Sequence, residues 1–155
     1  MAWTNEKHKT LCDQLDRLEE RVNKKDLKKY KLHLLRGISR RMPELTVDCE
    51  TCDELMQQVE VKMQEVDARS DDLEWEHLRE MKPLMQQLLK HLEKEHEIVQ
   101  PDHYQGLYMA MGVGIGVAMG TAMDNPAIGI SLVIAIGLAI GSSKDSKAKE
   151  EDREI

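Results

Sequence analysis

The chain has 155 residues, a net charge of −7, 33% charged residues and no Phe. This length suits one ordinary domain, and three cysteines are too few for a disulfide framework. The N-terminus is polar and charged from the start, without the apolar stretch of a secretory signal, so we expect the first part of the chain to stay in the cytoplasm.

The overall composition averages two unlike regions. Residues 1–105 hold 18 Lys and Arg against 23 Asp and Glu, whereas residues 106–143 hold a single charged residue, Asp124. The mean hydropathy of −0.54 therefore describes neither region. The predicted parts are a cytoplasmic helical domain (1–99), a linker (100–105), an apolar hairpin (106–143) and a charged tail (144–155).

Apolar residues in the first region recur at helical spacing. One stripe runs from Leu11 to Val22, another from Leu55 to Val66 and a third from Met85 to Leu92. Steps of three and four residues place such side chains on one face of a helix. We therefore predict an all-α bundle or coiled coil of four or five helices, with a break at Asn23, a loop at 43–52 and an N-cap at Ser70.

Two pairs of residues in this domain have side chains that bind metals. His8 and Cys12 are one helical turn apart, and Cys49 and Cys52 form a Cys-x2-Cys pair. Together they supply four ligands of the kinds that tetrahedral zinc prefers, provided that the N-terminal helix folds back to the start of the third helix. Two alternatives stay open: ordinary buried cysteines, and a reversible thiol switch.

The other histidines do not suggest a site of their own. His91 and His96 are five residues apart, which places them on different faces of a helix, and we interpret them as part of a solvated helix end. The sequence shows no Ser/His/Asp set, nucleotide-binding loop or paired-carboxylate cleft. We therefore expect no enzymatic activity and no cofactor, with zinc as the one exception to consider.

The domain contains two blocks of opposite charge. Residues 24–41 hold eight basic residues against one acid, and residues 48–80 hold twelve acids against three basic residues. We predict that the basic helix packs along the acidic one, with contact to anionic lipid as an alternative. Nucleic acid is disfavoured, because the only aromatic residue in the basic block is Tyr30. The basic patch comprises Lys24, Lys25, Lys28, Lys29, Lys31, Arg36, Arg40 and Arg41.

Small and large residues alternate through the apolar region. Strands also alternate with period two, but both faces of such a strand would be apolar here, and Gly, Ala and Met are poor strand residues. In a helix, every second position includes every fourth, so the small residues form two opposed rows. The predicted packing positions are Gly112, Gly116 and Gly120 in one row, Gly106, Ala110, Gly114 and Ala118 in the other, and Gly129, Gly137 and Gly141 on the second helix.

The length of the two apolar segments favours a membrane. As helices, residues 106–123 and 127–143 would be about 27 and 26 Å long, close to the roughly 30 Å of the bilayer core. Residues 124–126 read as a tight turn without Lys or Arg, whereas lysines precede the first segment and follow the second. The positive-inside rule then predicts two spans with both termini in the cytoplasm. A soluble core is the alternative.

The stretch "MGVGIGVAMG", followed by a short turn ending in Pro and a second apolar helix, resembles glycine-zipper membrane hairpins. The best-known example is the proteolipid subunit of rotary ATP synthases. The resemblance implies close helix packing and ring-like assembly. It does not extend to ion coupling, because residues 127–143 lack the ionisable side chain that the second helix of that subunit carries. It covers only the hairpin, and residues 1–105 resemble no family.

These patterns together predict a small membrane protein of bacterial type. In this interpretation the helical domain recognises an unidentified protein partner, and the hairpin anchors the chain and joins copies of it into a homo-oligomer. One alternative is a small oligomeric pore or channel. The other is a membrane-tethered domain that senses zinc or redox state.

Overall fold

The computed structural model describes residues 3–68 and 75–155, except for the side chains of residues 75–77. These residues fold into two units, Met1–His96 and Glu97–Ile155. Regular structure in the described ranges is helical, apart from one isolated β-bridge, which confirms the all-α prediction. The helices are α1 (Asn5–Arg21), α2 (Lys24–Lys29), α3 (Leu35–Asp48), α4 (Glu50–Ala68), α5 (Trp75–His96), α6 (His103–Ala122) and α7 (Pro126–Glu150), with a 3-10 turn at Leu32–Leu34.

The first unit is a bundle in which α1 packs on α3 and α4, and α4 packs on α5. The predicted apolar stripes form its core, which confirms the helical spacing. The break predicted at Asn23 is also present, and the Asn23 side chain caps α2 by accepting from the Lys25 N–H at 3.0 Å. The predicted cap at Ser70 lies outside the described residues. The buried stripe residues are Leu11, Leu15, Leu18, Val22, Leu55, Val59, Met63, Val66, Met85, Leu88 and Leu92.

The loop predicted at 43–52 is wrong, because α3 continues through Pro43 to Asp48 and α4 begins at Glu50. A proline inside a helix removes one backbone N–H and leaves the carbonyl four residues earlier without its usual donor. Here that carbonyl belongs to Ser39.

The side chain of Trp3 supplies the missing donor. Its indole Nε1 donates to the Ser39 carbonyl at 3.0 Å, and its backbone N–H donates to Thr46 Oγ1 at 3.2 Å. Trp3 is only 2% exposed, so the contact is shielded from water. A residue far away in sequence therefore compensates the helix for Pro43.

The second unit is an antiparallel hairpin of α6 and α7. At the turn, Asp124 adopts the left-handed conformation at φ 53°, and Asn125 Oδ1 accepts from the Ile128 N–H at 3.4 Å. Asn125 therefore caps α7, with Pro126 as the first helical residue. Helix α7 continues beyond the apolar segment to Glu150, through more than half of the predicted charged tail.

The open end of the hairpin, opposite the turn, is also held together by hydrogen bonds. The buried carboxylate of Asp145 accepts from the backbone N–H groups of Tyr104 at 2.9 Å and Gln105 at 2.8 Å, in the first turn of α6. These N–H groups have no partner within their own helix, so Asp145 caps α6 from α7. Val99, just before α6, is bonded to the segment that follows α7. Its N–H donates to the Arg153 carbonyl at 2.8 Å, and its carbonyl accepts from the Ile155 N–H at 3.1 Å.

Candidate functional site

The two helices of the hairpin touch through glycines. A Cβ on Gly116 would lie 2.9 Å from the Gly129 carbonyl oxygen, and a Cβ on Gly137 would lie 2.7 Å from the Tyr108 carbonyl oxygen. Both distances are too short for any side chain, so the backbones approach as closely as glycine permits. The glycines in this interface are Gly112, Gly116, Gly120, Gly129, Gly137 and Gly141.

The second predicted row on α6 faces away from α7. No atom lies within 4 Å of where a Cβ would stand on Gly106 or Gly114, and Ala110 and Ala118 are exposed. Of the two rows of small residues on α6, one therefore packs against α7 and the other is exposed.

The outer surface of the hairpin is formed by large apolar side chains. Ile115, for example, is 57% exposed, while its neighbour Gly116 is buried. This distribution is the reverse of a water-soluble helix pair, in which large apolar residues face inward. The exposed large residues are Leu107, Met109, Met111, Val113, Ile115, Val117, Met119, Met123, Ile128, Leu132, Ile136 and Ile140.

Helix α7 is the single helix in the described part of the chain that is long and apolar enough to cross a membrane, with a mean hydropathy of 1.9 over a stretch of 18 residues. Helix α6 has a polar first turn, with His103 and Gln105, and it contains five of the chain's glycines. Of the two membrane spans that we predicted, length and composition therefore support the one in α7.

The open end of the hairpin carries aromatic and basic side chains. The Lys144 ammonium lies 5.7 Å from the ring centroid of Tyr104 and 5.8 Å from that of Tyr108. Tyr and Lys are typical of the level at which a membrane helix meets water. The turn at the opposite end has Asp124 and no basic residue.

A second candidate site lies in the first unit, where two cysteines meet two histidines. Cys49 lies between α3 and α4, Cys52 lies in the first turn of α4, and His91 and His96 lie near the end of α5. One ligand atom from each of the four residues lies within 4.8 Å of the others. Cys49 Sγ is 3.1 Å from His91 Nε2, and Cys52 Sγ is 3.3 Å from His96 Nε2.

This cluster differs from the predicted ligand set. His8 and Cys12 are close to each other, with Cys12 Sγ 3.7 Å from His8 Nε2, but His8 Nδ1 contacts Ser39 Oγ at 2.8 Å. The pair on α1 thus faces α3, and the structure does not bring it to Cys49 and Cys52.

The interpretation of His91 and His96 as a solvated helix end is wrong, since both are partly buried and their ring centroids lie 5.4 Å apart. Spacing within α5 does not show which residues of a neighbouring helix lie nearby. Because α5 runs antiparallel to α4, its end lies beside the start of α4, where both imidazoles reach the thiols. The spacing Cys-x2-Cys followed by His-x4-His was the signal that could have identified the group.

The surroundings of the cluster favour neutral side chains. Burial, together with a hydrogen bond that the Cys52 thiol donates to Cys49, raises the pKa of Cys52 to about 12. Burial and the neighbouring His96 lower the pKa of His91. At neutral pH, His91 is therefore an uncharged imidazole, which is the form that binds metals, whereas Cys52 is a thiol that must lose its proton to bind one.

The charge blocks pair through α1. Arg36 Nη2 of the basic patch lies 2.6 Å from Asp16 Oδ1 on α1, and Lys7 Nζ of α1 lies 2.8 Å from Glu60 Oε2 on α4. Helix α3, which holds Arg36, Arg40 and Arg41, packs on the acidic α4 as predicted, but these two ion pairs are made by α1, which packs on both helices. The exposed members of the basic patch are Lys24, Lys25, Lys28, Lys29, Arg36 and Arg40.

Residues 101–146 match the family model described as glycine zipper membrane protein. This match confirms the glycine-zipper resemblance of the hairpin and indicates a membrane-associated protein. Comparison with curated proteins and with solved structures gives no significant match.

Proposed function

We propose that this protein is a membrane-anchored interaction protein. Helices α6 and α7 both cross the membrane, and the helical unit Met1–His96 stays at the cytoplasmic face, where it binds a protein partner. The observation that carries the proposal is the inverted hairpin, with glycines inside and large apolar side chains outside.

The energetics of the hairpin favour lipid over water. Full burial of a Leu, Ile, Val or Met side chain contributes about 1.5–3 kcal/mol, so twelve such side chains at the surface would be strongly unfavourable in water. Glycine in a helix also costs about 1 kcal/mol relative to Ala. In a bilayer every backbone group needs a partner within the protein, which enforces helix, and glycine then permits close packing.

The charges at the two ends support one orientation. Lys144, Lys147 and Lys149 lie at the open end of the hairpin, whereas the turn has no basic residue. Because basic residues near the ends of a span stay in the cytoplasm, both termini belong on that side. The exposed lysines of α2 would then be available to anionic headgroups, which attract each basic residue near the surface by about 1 kcal/mol.

The hydroxyl groups in the hairpin support an anchor rather than a conduit. Thr121 Oγ1 donates to the Val117 carbonyl at 2.6 Å, and Ser131 Oγ donates to the Ala127 carbonyl at 2.8 Å. Both hydroxyls are bonded within their own helix, and the surface around them is apolar. A water-filled pore needs polar groups that face its lumen.

Cysteine accessibility tests this topology. We expect Met123→Cys, beside the turn, to react with a membrane-impermeant maleimide in intact cells, and Ser146→Cys to react only after permeabilisation. The unmutated chain is the control, since its three cysteines belong to the cytoplasmic part.

The protein should also remain in the membrane pellet after alkaline carbonate extraction. Recovery in the soluble fraction would contradict the anchor, and labelling of Ser146→Cys in intact cells would contradict the orientation.

A further inference from the structure

The cluster of Cys49, Cys52, His91 and His96 has the composition and spacing of a metal site. Zinc sites built from two cysteines and two histidines commonly place two to four residues between the cysteines and three to five between the histidines. Here two residues separate the cysteines and four separate the histidines. The structure brings the two pairs together from opposite ends of α4 and α5, although 38 residues separate them in the sequence.

The distances suit a tetrahedral ion. With metal–sulfur bonds of about 2.3 Å and metal–nitrogen bonds of about 2.0 Å, ligand atoms lie about 3.3–3.8 Å apart. Of the two Cys–His distances, 3.3 Å lies at the lower end of this range and 3.1 Å lies slightly below it, and the upper bound of 4.8 Å for the group is about 1 Å longer than the range. Side-chain rotations that move the ligand atoms by up to about 1 Å would bring all of these distances into the range expected for zinc.

The burial of the cluster indicates a structural rather than a catalytic ion. Cys52 is fully buried and the other three residues are half-buried. Four protein ligands fill the coordination sphere of zinc and leave no position for a substrate or water. A tetrahedral set of two sulfurs and two nitrogens also favours zinc over calcium or magnesium, which prefer oxygen.

We propose that Cys49, Cys52, His91 and His96 bind one zinc ion, which joins the junction of α3 and α4 to the end of α5. Such an ion crosslinks parts of the bundle that are distant in sequence, and it stabilises the folded unit because the unfolded chain has no preformed site. The site is independent of the hairpin, so its failure would leave the proposed membrane anchor untouched.

Metal analysis of the untagged full-length protein in detergent tests the site. We expect about one zinc ion per chain, and a lower thermal midpoint after removal of the ion with a chelator that zinc then reverses. Titration of the metal-free protein with cobalt(II) should give the visible absorption of a tetrahedral ion with thiolate ligands. That measurement on the unmutated chain does not depend on whether any variant folds.

Variants identify the ligands. Loss of a group that merely orients a ligand weakens metal affinity by about 10- to 100-fold, so Cys49→Ser and His91→Asn should each weaken it by more than about 100-fold. The matched controls are Cys12→Ser and His8→Asn, which alter the other cysteine–histidine pair and should leave affinity unchanged.

Three results would overturn the proposal: absence of tetrahedral cobalt absorption, equal loss of zinc from the control variants, or a disulfide between Cys49 and Cys52 in protein purified under reducing conditions.

Discussion

Pro43 shows how a single distant side chain can decide the local structure of a helix. The proline leaves the Ser39 carbonyl without a helical donor, and the buried indole of Trp3 donates to it. A buried carbonyl without a partner costs about 1–3 kcal/mol, so the indole and the proline are energetically coupled. The same tryptophan also fixes the start of the chain against α3.

A double-mutant cycle measures this coupling. Trp3→Phe removes the donor and should lower the free energy of unfolding by about 1–3 kcal/mol. Pro43→Ala restores an N–H at position 43, which can donate to Ser39 within the helix. In that background we expect Trp3→Phe to cost about 1 kcal/mol less, as measured by thermal or chemical unfolding. Equal costs in both backgrounds would show that Trp3 acts through packing alone.

Asp145 was not predicted, because its role depends on a contact between helices. In sequence it belongs to a charged tail of mixed sign, where a carboxylate is usually solvated. In the structure it is buried and caps α6. Asn125 could be predicted as a cap, because it lies directly before the helix that it caps.

At the scale of the helix, the same substitution should have opposite effects at two glycines. A Cβ on Gly129 would overlap the backbone of Gly116 and Gly120, whereas a Cβ on Gly114 meets nothing within 4 Å. We expect Gly129→Ala to destabilise the protein in detergent by about 1–3 kcal/mol through overpacking. Gly114→Ala should stabilise a single copy of the hairpin by up to about 1 kcal/mol, because alanine is the better helix former.

Thermal unfolding in detergent, followed by circular dichroism, compares the two variants with the unmutated chain. If Gly129→Ala were as stable as Gly114→Ala, the close approach of the two backbones would not exist.

The sequence predicted both rows of small residues on α6, but it did not show which row meets α7. The two rows are similar in size and hydropathy, so composition cannot distinguish them. The turn determines which row faces α7. The Asn125 N–H donates to the Gly120 carbonyl at 2.8 Å, and this bond holds Pro126 against the face of α6 that carries Gly116 and Gly120.

The metal cluster was half predicted for a similar reason. The spacing of Cys49 and Cys52 predicts a metal-binding pair, but it does not show that their partners lie on α5 and not on the N-terminal helix. Periodicity describes one helix at a time, and a site shared by two helices depends on how they pack. His91 and His96 reach the cysteines only because α4 and α5 are antiparallel, which the spacing within α5 does not reveal.

For the molecule as a whole, the open row of small residues supports self-association. We propose that copies of the hairpin pack through Gly106, Ala110, Gly114 and Ala118, which α7 leaves uncovered. Ala118→Leu would fill this row and should reduce the size of the oligomer, since small residues are what allow membrane helices to approach.

Native mass spectrometry in a mild detergent measures the copy number. The matched control is Val117→Leu, which adds one methylene to a neighbouring exposed position outside the row. A monomeric unmutated protein, or an equal effect of both variants, would argue against assembly through this face.

The bonds that close the open end of the hairpin have a mechanical consequence. Asp145 and Val99 tie the chain entering α6 to the end of α7. A pulling force transmitted along the chain from the first unit would therefore divide between both helices instead of acting on α6 alone. In the proposed membrane anchor, such a force would have to break these bonds first or draw the two helices out of the bilayer together.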